Sequence, residues 1–174
     1  MHETAIADRP RRGHGQGYQT MTGAVPQPST VREYLLAIQA GAAEPPTAAR
    51  LLGISIVEVG DRHAVFALVP RLEHLNGNSA VHGGFLATLA DFVLVGAINH
   101  IAVTSTVATV ALNVTYQRAV TLATGEIRAA GTVLHATERT ATVEAKITDL
   151  AGQLHAHATA TCVISHPPVP EPSR

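Results

Sequence analysis

The chain has 174 residues, of which 46% are hydrophobic and 14% charged, and its formal net charge is −1. That length suits one domain with a sizeable core, and that charge argues against a nucleic-acid binder held by phosphate contacts. A single cysteine, Cys162, excludes an intrachain disulfide, and the longest apolar stretch, within 85–98, is too short to span a bilayer.

Residues 1–28 are rich in Gly, Pro, Gln and Arg, lack periodicity and read as a flexible N-terminal tail without the apolar core of a signal peptide. A cytoplasmic protein with no membrane partner is the simplest expectation. One domain is expected over 29–166, followed by a flexible C-terminal tail at 167–174. Thr30-Val-Arg-Glu33 has the form of a capping box, and Val31, Tyr34, Leu35 and Ile38 follow helical spacing, so a short amphipathic helix is predicted over 30–41. The run GAAEPP ends it. Residues 53–59 and 63–69 read as two strands joined by Gly60-Asp61-Arg62, and 70–81 as a polar loop. A helix over 83–99 would hold Phe85, Leu86, Leu89, Phe92, Val93, Leu94, Val95 and Ile98 around one charge, Asp91. Such a helix is apolar on all sides and is expected to be buried. The period then changes to two. In 106–116, Val110, Leu112, Val114 and Tyr116 alternate with Thr109, Ala111, Asn113 and Thr115. Residues 124–135, 139–148 and 154–164 behave similarly. Two strands, one long helix and four more strands with short links imply an α+β fold in which an antiparallel sheet wraps the helix.

The chemistry centres on His82-Gly83-Gly84 and Asp91. A buried carboxylate costs free energy unless it has partners or a function, and no Lys or Arg lies between Arg71 and Arg118. Glycines at a helix start let another molecule approach free N–H groups that attract a developing negative charge. The pair suggests acyl transfer, with amide donors for an oxyanion and a carboxylate as base or nucleophile. From the residues alone, Asp91 equally suits a carboxylate capping a loop, Gly83 a tight helix start, and His82 a satisfied structural histidine. Gly83 and Asp91 stand eight residues apart, about 12 Å of helical rise. One carbonyl cannot meet both from the same helix. A two-fold dimer with antiparallel helices would bring Asp91 of one subunit to Gly83 of the other.

Asn76, His82-Gly83-Gly84, Asp91, Thr109 and Asn113-Val-Thr-Tyr116 resemble the hotdog-fold acyl-CoA thioesterases of the phenylacetyl-CoA thioesterase (PaaI-like) type. The similarity covers roughly residues 48–165. It implies a hotdog fold, an acyl-CoA substrate, no cofactor, no metal and active sites shared across a homodimer, with dimers pairing further. It also implies Asp91 as base or nucleophile, Gly83 as oxyanion donor, and Asn76, His82 and Thr109 as groups holding water or thioester. Gly84 would admit substrate. Arg118 and Arg139, at strand ends, are candidates for the coenzyme A phosphates. Without the resemblance, Asn76-Gly77 is a turn signal, Thr109 a strand threonine, and both arginines solvated residues.

The ten histidines raise a metal reading, since His155-x-His157 would present two ligands on one strand face. No third ligand accompanies them, and no metal is expected. No G-x-S-x-G elbow, phosphate loop or dinucleotide fingerprint is present. Two rivals remain: a non-catalytic acyl-CoA-binding hotdog protein, and a hotdog dehydratase acting on 3-hydroxyacyl thioesters. The paired glycines and Asp91 argue against the first. The second needs a His–acid base on carbon that the sequence does not show.

Overall fold

The computed structural model describes residues 28–101 and 103–166. The flexible tails expected at both ends therefore lie outside the described residues, Pro28 apart. Helix α1 (Val31–Gln39) begins with the expected capping box. Thr30 Oγ1 accepts from the Glu33 N–H at 3.1 Å, and the Glu33 carboxylate accepts from the N–H groups of Thr30 and Ser29. Those donors, led by the Ser29 N–H, hold the Glu33 carboxyl below its usual range. A second helix, α2 (Thr47–Leu52), was not expected. Pro46 sits at its N-cap, where no N–H is needed, and Gly53 closes it in a left-handed conformation (φ 71°).

Strands β1 (Ile54–Gly60) and β2 (His63–Leu68) form the first hairpin, as read from the sequence. The polar loop carries a short 3-10 turn at Leu72–His74. Helix α3 (Gly83–Ala97) is the central helix. Strands β3 (Thr106–Tyr116), β4 (Ile127–Ala136), β5 (Thr140–Asp149) and β6 (Leu154–Ser165) follow. All six strands join one antiparallel sheet in the order β1-β2-β4-β5-β6-β3.

The sheet wraps α3 as predicted. Leu89, Ala90, Val93, Leu94 and Ala97 are fully enclosed against Phe66, Ile127, Val143, Ile147 and Ala158. Two glycines permit the close approach. A Cβ on Gly131 of β4 would stand 2.7 Å from the Val93 carbonyl oxygen, and one on Gly96 would stand 2.7 Å from Phe66 Cζ. Among the described residues, no helix is long and apolar enough to cross a membrane.

The expectation that α3 is buried on all sides is corrected. Thr88, Asp91, Phe92 and Val95 are only half-buried, and Gly84 is exposed. These positions recur at helical spacing and form one stripe that the chain's own sheet leaves uncovered. Strand β3, eleven residues long, forms one edge of the sheet and exposes Val110 and Tyr116.

Candidate active site

The start of α3 is built by the loop before it. His74 is buried, its Nδ1 accepts from the Arg71 N–H at 3.1 Å, and its ring lies 5.1 Å from that of Phe85. Burial, and then the Arg71 charge, push its pKa down. The His74 carbonyl accepts from the His82 N–H at 2.8 Å and so fixes where the helix begins. A bridge between Leu75 and Val81 closes the loop. Inside it, Asn76 Oδ1 accepts from the N–H groups of Asn78 (2.9 Å) and Ala80 (3.3 Å). The Asn76 oxygen thus shapes the loop, and its carboxamide nitrogen is the end that can donate outward.

His82 is the N-cap of α3, and its Nδ1 accepts from the Gly84 N–H at 3.0 Å. The ring therefore caps the helix and occupies the Gly84 amide. What Gly84 offers a substrate is its lack of a side chain. Gly83 is the first residue of the helix, so its N–H has no acceptor within it. On its other side the Gly83 carbonyl accepts from the Tyr116 hydroxyl at 2.8 Å. Sequence reasoning gave Tyr116 no task. His74 carried no sequence signal at all, because nothing local marks a histidine that caps a loop.

Asp91 lies two turns further along the same helix, about 12 Å of rise from Gly83. The Thr109 hydroxyl donates to Asp91 Oδ1 at 2.7 Å. Among the described residues no ion pair involves Asp91. A hydrogen bond from a hydroxyl fixes one carboxylate oxygen and leaves the other, Oδ2, for chemistry.

A β-bulge makes this contact possible. Thr109 pairs with Cys162 and Ala111 with Thr161, so Val110 is an extra residue with no partner. Before the bulge, Val107 and Thr109 face the helix; after it, Leu112 and Val114 do. The uninterrupted alternation read over 106–116 is thereby corrected. Cys162, opposite Thr109, is buried as core, and its Sγ lies 3.8 Å from Thr109 Oγ1. Burial pushes its thiol pKa up.

The two candidate phosphate contacts are not neighbours. Arg118 follows β3 and its Nη2 donates to Gln153 Oε1 at 3.3 Å, beside the start of β6. Arg139 sits in the β4–β5 turn, and its carbonyl accepts from the Ile164 N–H at 2.8 Å, near the end of β6. From residue 155 to residue 164 a strand runs about 30 Å. Arg118 thus belongs with the Gly83 and Tyr116 end, and Arg139 with the Thr109–Asp91 end.

The pairing of His155 with His157 on one face is also corrected. His155 lies at an irregularity between the pairs Ile147–Ala156 and Thr148–Leu154. It is buried with Nε2 3.4 Å from Asp149 Oδ2, whereas His157 Nε2 is 3.4 Å from Glu144 Oε2. The Asp149 carboxyl is held below its usual range, first by the Gln153 N–H. Among the described residues, no three His, Cys, Asp or Glu side chains gather to hold a metal ion.

An antiparallel sheet wrapped around one helix is the hotdog fold, the architecture of a class of thioester hydrolases. The thioesterase superfamily model matches residues 78–156, the stretch that carries the whole of α3 and β3. The chain has the hotdog fold of thioester hydrolases and over that stretch is similar to the thioesterase superfamily. A conserved protein of Pseudomonas aeruginosa is similar at 29% identity and TM-score 0.65, over 69% of this chain and 94% of that one. A putative thioesterase related to phenylacetic acid degradation, from Ralstonia eutropha JMP134, is similar at 25% identity and TM-score 0.68, over 75% and 98%. The PaaI protein of the E. coli phenylacetic acid degradation operon shares the fold at 23% identity and TM-score 0.66, over 75% and 93%. No curated protein sequence matches the chain.

Proposed function

We propose that the protein hydrolyses an acyl-CoA thioester to a carboxylic acid and coenzyme A, at sites shared between two subunits. The observation that carries this reading is the Thr109–Asp91 hydrogen bond on the uncovered stripe of α3, with the Gly83 N–H, unpaired among the described residues, on the same helix but out of reach. In a two-fold dimer with antiparallel α3 helices, the thioester oxygen accepts from Gly83 of the partner subunit. Asp91, held by Thr109, takes a proton from water as that water attacks the carbonyl, or attacks the carbonyl itself to form a mixed anhydride that water then hydrolyses, releasing the acid, freeing Asp91 and supplying the proton. Coenzyme A leaves as the C–S bond breaks, and its thiolate takes up the proton. Asn76 and His82 support the helix start and its water. Arg118 from one subunit and Arg139 from the other then flank one site and offer charge to the coenzyme A phosphates.

The edge strand supports the dimer. An exposed eleven-residue edge presents unpaired backbone groups that a second copy can pair antiparallel to itself. Further pairing of dimers, a cytoplasmic location, and independence from metal, nucleic acid and membrane complete the proposal. Hydrolysis needs no cofactor, because coenzyme A is part of the substrate.

Subunit complementation tests the shared site. Asp91→Asn and Gly83→Val subunits are each inactive as homodimers. Mixed and re-equilibrated, they form heterodimers with one intact site, and half the normal activity returns per heterodimer. Circular dichroism and sedimentation first establish that both variants fold and dimerise. A mixture that exchanges subunits yet stays inactive refutes the arrangement.

A further inference from the structure

The uncovered stripe of α3 does not end at Asp91. It continues through Phe92 and Val95, one turn further on, into a cavity of about 640 Å³ beneath α1 and α2. Leu35 and Ile38 of α1 form its roof, and Ile56 of β1 and Val107 of β3 form its sides. Val107 precedes Thr109 by two residues and faces the same way, and Phe92 follows Asp91, so the wall that these two residues form lies next to the Thr109–Asp91 pair. The cavity is mostly apolar. Four polar side chains in its wall are already engaged: Gln39 Nε2 donates to the Val57 carbonyl at 2.7 Å, the Tyr34 hydroxyl to the Glu44 carbonyl at 3.0 Å, Ser105 Oγ lies 2.9 Å from His166 Nδ1, and the Glu44 carboxylate pairs with Arg50 at 3.2 Å. The roof is fixed to the body by the Val31 N–H on the Ile101 carbonyl (3.1 Å) and the Arg32 N–H on the Asn99 carbonyl (3.0 Å).

We infer that this cavity receives the acyl group, and that the group is an unbranched aliphatic chain of medium length. The inference rests on the thioesterase reading above and adds the substrate class to it. The volume falls in the range of pre-formed ligand sites, about 300–1,000 Å³. An occupant gains dispersion energy only where it touches the walls. A single ring placed next to Asp91 would leave the deeper space under α1 unfilled, whereas a flexible chain can follow the stripe from Asp91 past Phe92 and Val95 to Leu35. With those polar groups engaged and the wall otherwise mostly apolar, a hydroxylated or charged acyl group would lose more hydration than the wall returns. The acyl chain is thus held by the subunit that supplies Asp91, and the partner supplies the oxyanion donor.

The test compares kcat/KM for butyryl-, octanoyl-, dodecanoyl- and phenylacetyl-CoA on the full chain, then on Ile38→Trp and Val103→Trp, which narrow the cavity from two different elements. The expected result is an octanoyl value at least tenfold above phenylacetyl in the native protein. In each variant the octanoyl-to-butyryl ratio falls tenfold or more. A phenylacetyl optimum overturns the substrate class. An unchanged chain-length profile in both variants, each folded by circular dichroism, overturns the cavity. If no thioester is turned over, the hydrolase reading fails by itself, and calorimetry with decanoate then decides the cavity. Binding that Ile38→Trp weakens tenfold supports it, and no binding of decanoate to the native protein overturns it.

Discussion

The Tyr116 hydroxyl donates to the Gly83 carbonyl at 2.8 Å, so the last residue of the edge strand holds the first residue of the central helix. A Cβ on Gly83 would lie 3.0 Å from Tyr116 Cζ, so the same contact leaves no slack for a side chain there. Tyr116→Phe removes the hydroxyl and keeps the ring. A neutral hydrogen bond contributes about 0.5–1.5 kcal/mol, and 1.36 kcal/mol is tenfold in rate. The variant is expected to lose up to about tenfold in kcat with a melting temperature near that of the native protein. Steady-state kinetics and calorimetric scanning check both, and full kcat would show that Tyr116 does not hold the oxyanion donor.

Asp91→Asn is nearly isosteric but supplies neither base nor nucleophile. A loss of about 10²-fold or more in kcat is expected from such a group, with the fold retained. Activity within about threefold of native removes Asp91 from the chemistry.

Thr109→Val deletes the hydroxyl that donates to Asp91 Oδ1. A hydrogen bond to a charged group contributes about 1.5–3 kcal/mol. If that energy holds the carboxylate in its reactive orientation, kcat falls roughly 10- to 100-fold, while Thr109→Ser restores most of it. Loss in Thr109→Ser with native kcat in Thr109→Val would mean that the methyl group, not the hydroxyl, matters.

Stability should fall in mild acid through His74. Burial and the Arg71 charge lower its pKa from the ordinary 6.5, and its Nδ1 must stay unprotonated to accept the Arg71 N–H. A histidine with a depressed folded-state pKa adds stability that is fully present above 6.5 and is lost as pH falls below it. His100, also depressed chiefly by burial, acts in the same direction. Urea midpoints are expected to drop between pH 7.5 and pH 5.5. A double variant, His74→Gln with His100→Gln, should show a shallower drop. An identical slope in that variant would place the acid sensitivity elsewhere.

Gly131→Ala tests the wrapped core. Its Cβ would meet the Val93 carbonyl oxygen at 2.7 Å, and because that atom is backbone the helix and strand must part. Overpacking of this kind costs about 1–3 kcal/mol. Denaturant unfolding should report that loss, and a neutral effect would mean that the helix and strand part at no cost.

The sequence by itself determined the main strands, the central helix and which residues are candidates for the site. A run of apolar residues around one charge has no stable place except under a sheet, and the following strands carried the period of two that makes one. The capping box at Thr30 and Glu33 was legible because capping acts over three residues. So was the Gly83–Asp91 separation, since helical rise is fixed. Tertiary structure decided what depended on register and on distant partners. The Val110 bulge cannot be read from alternation, because one extra unpaired residue reverses every later side chain without changing the pattern before it. Only that reversal lets Thr109 and Leu112 face the helix together. The uncovered stripe through Asp91 also needed the fold, because composition reports how apolar a helix is, not which side its sheet reaches. Arg118 and Arg139 looked interchangeable as strand-end cations, and only the length of β6 between them set them at opposite ends.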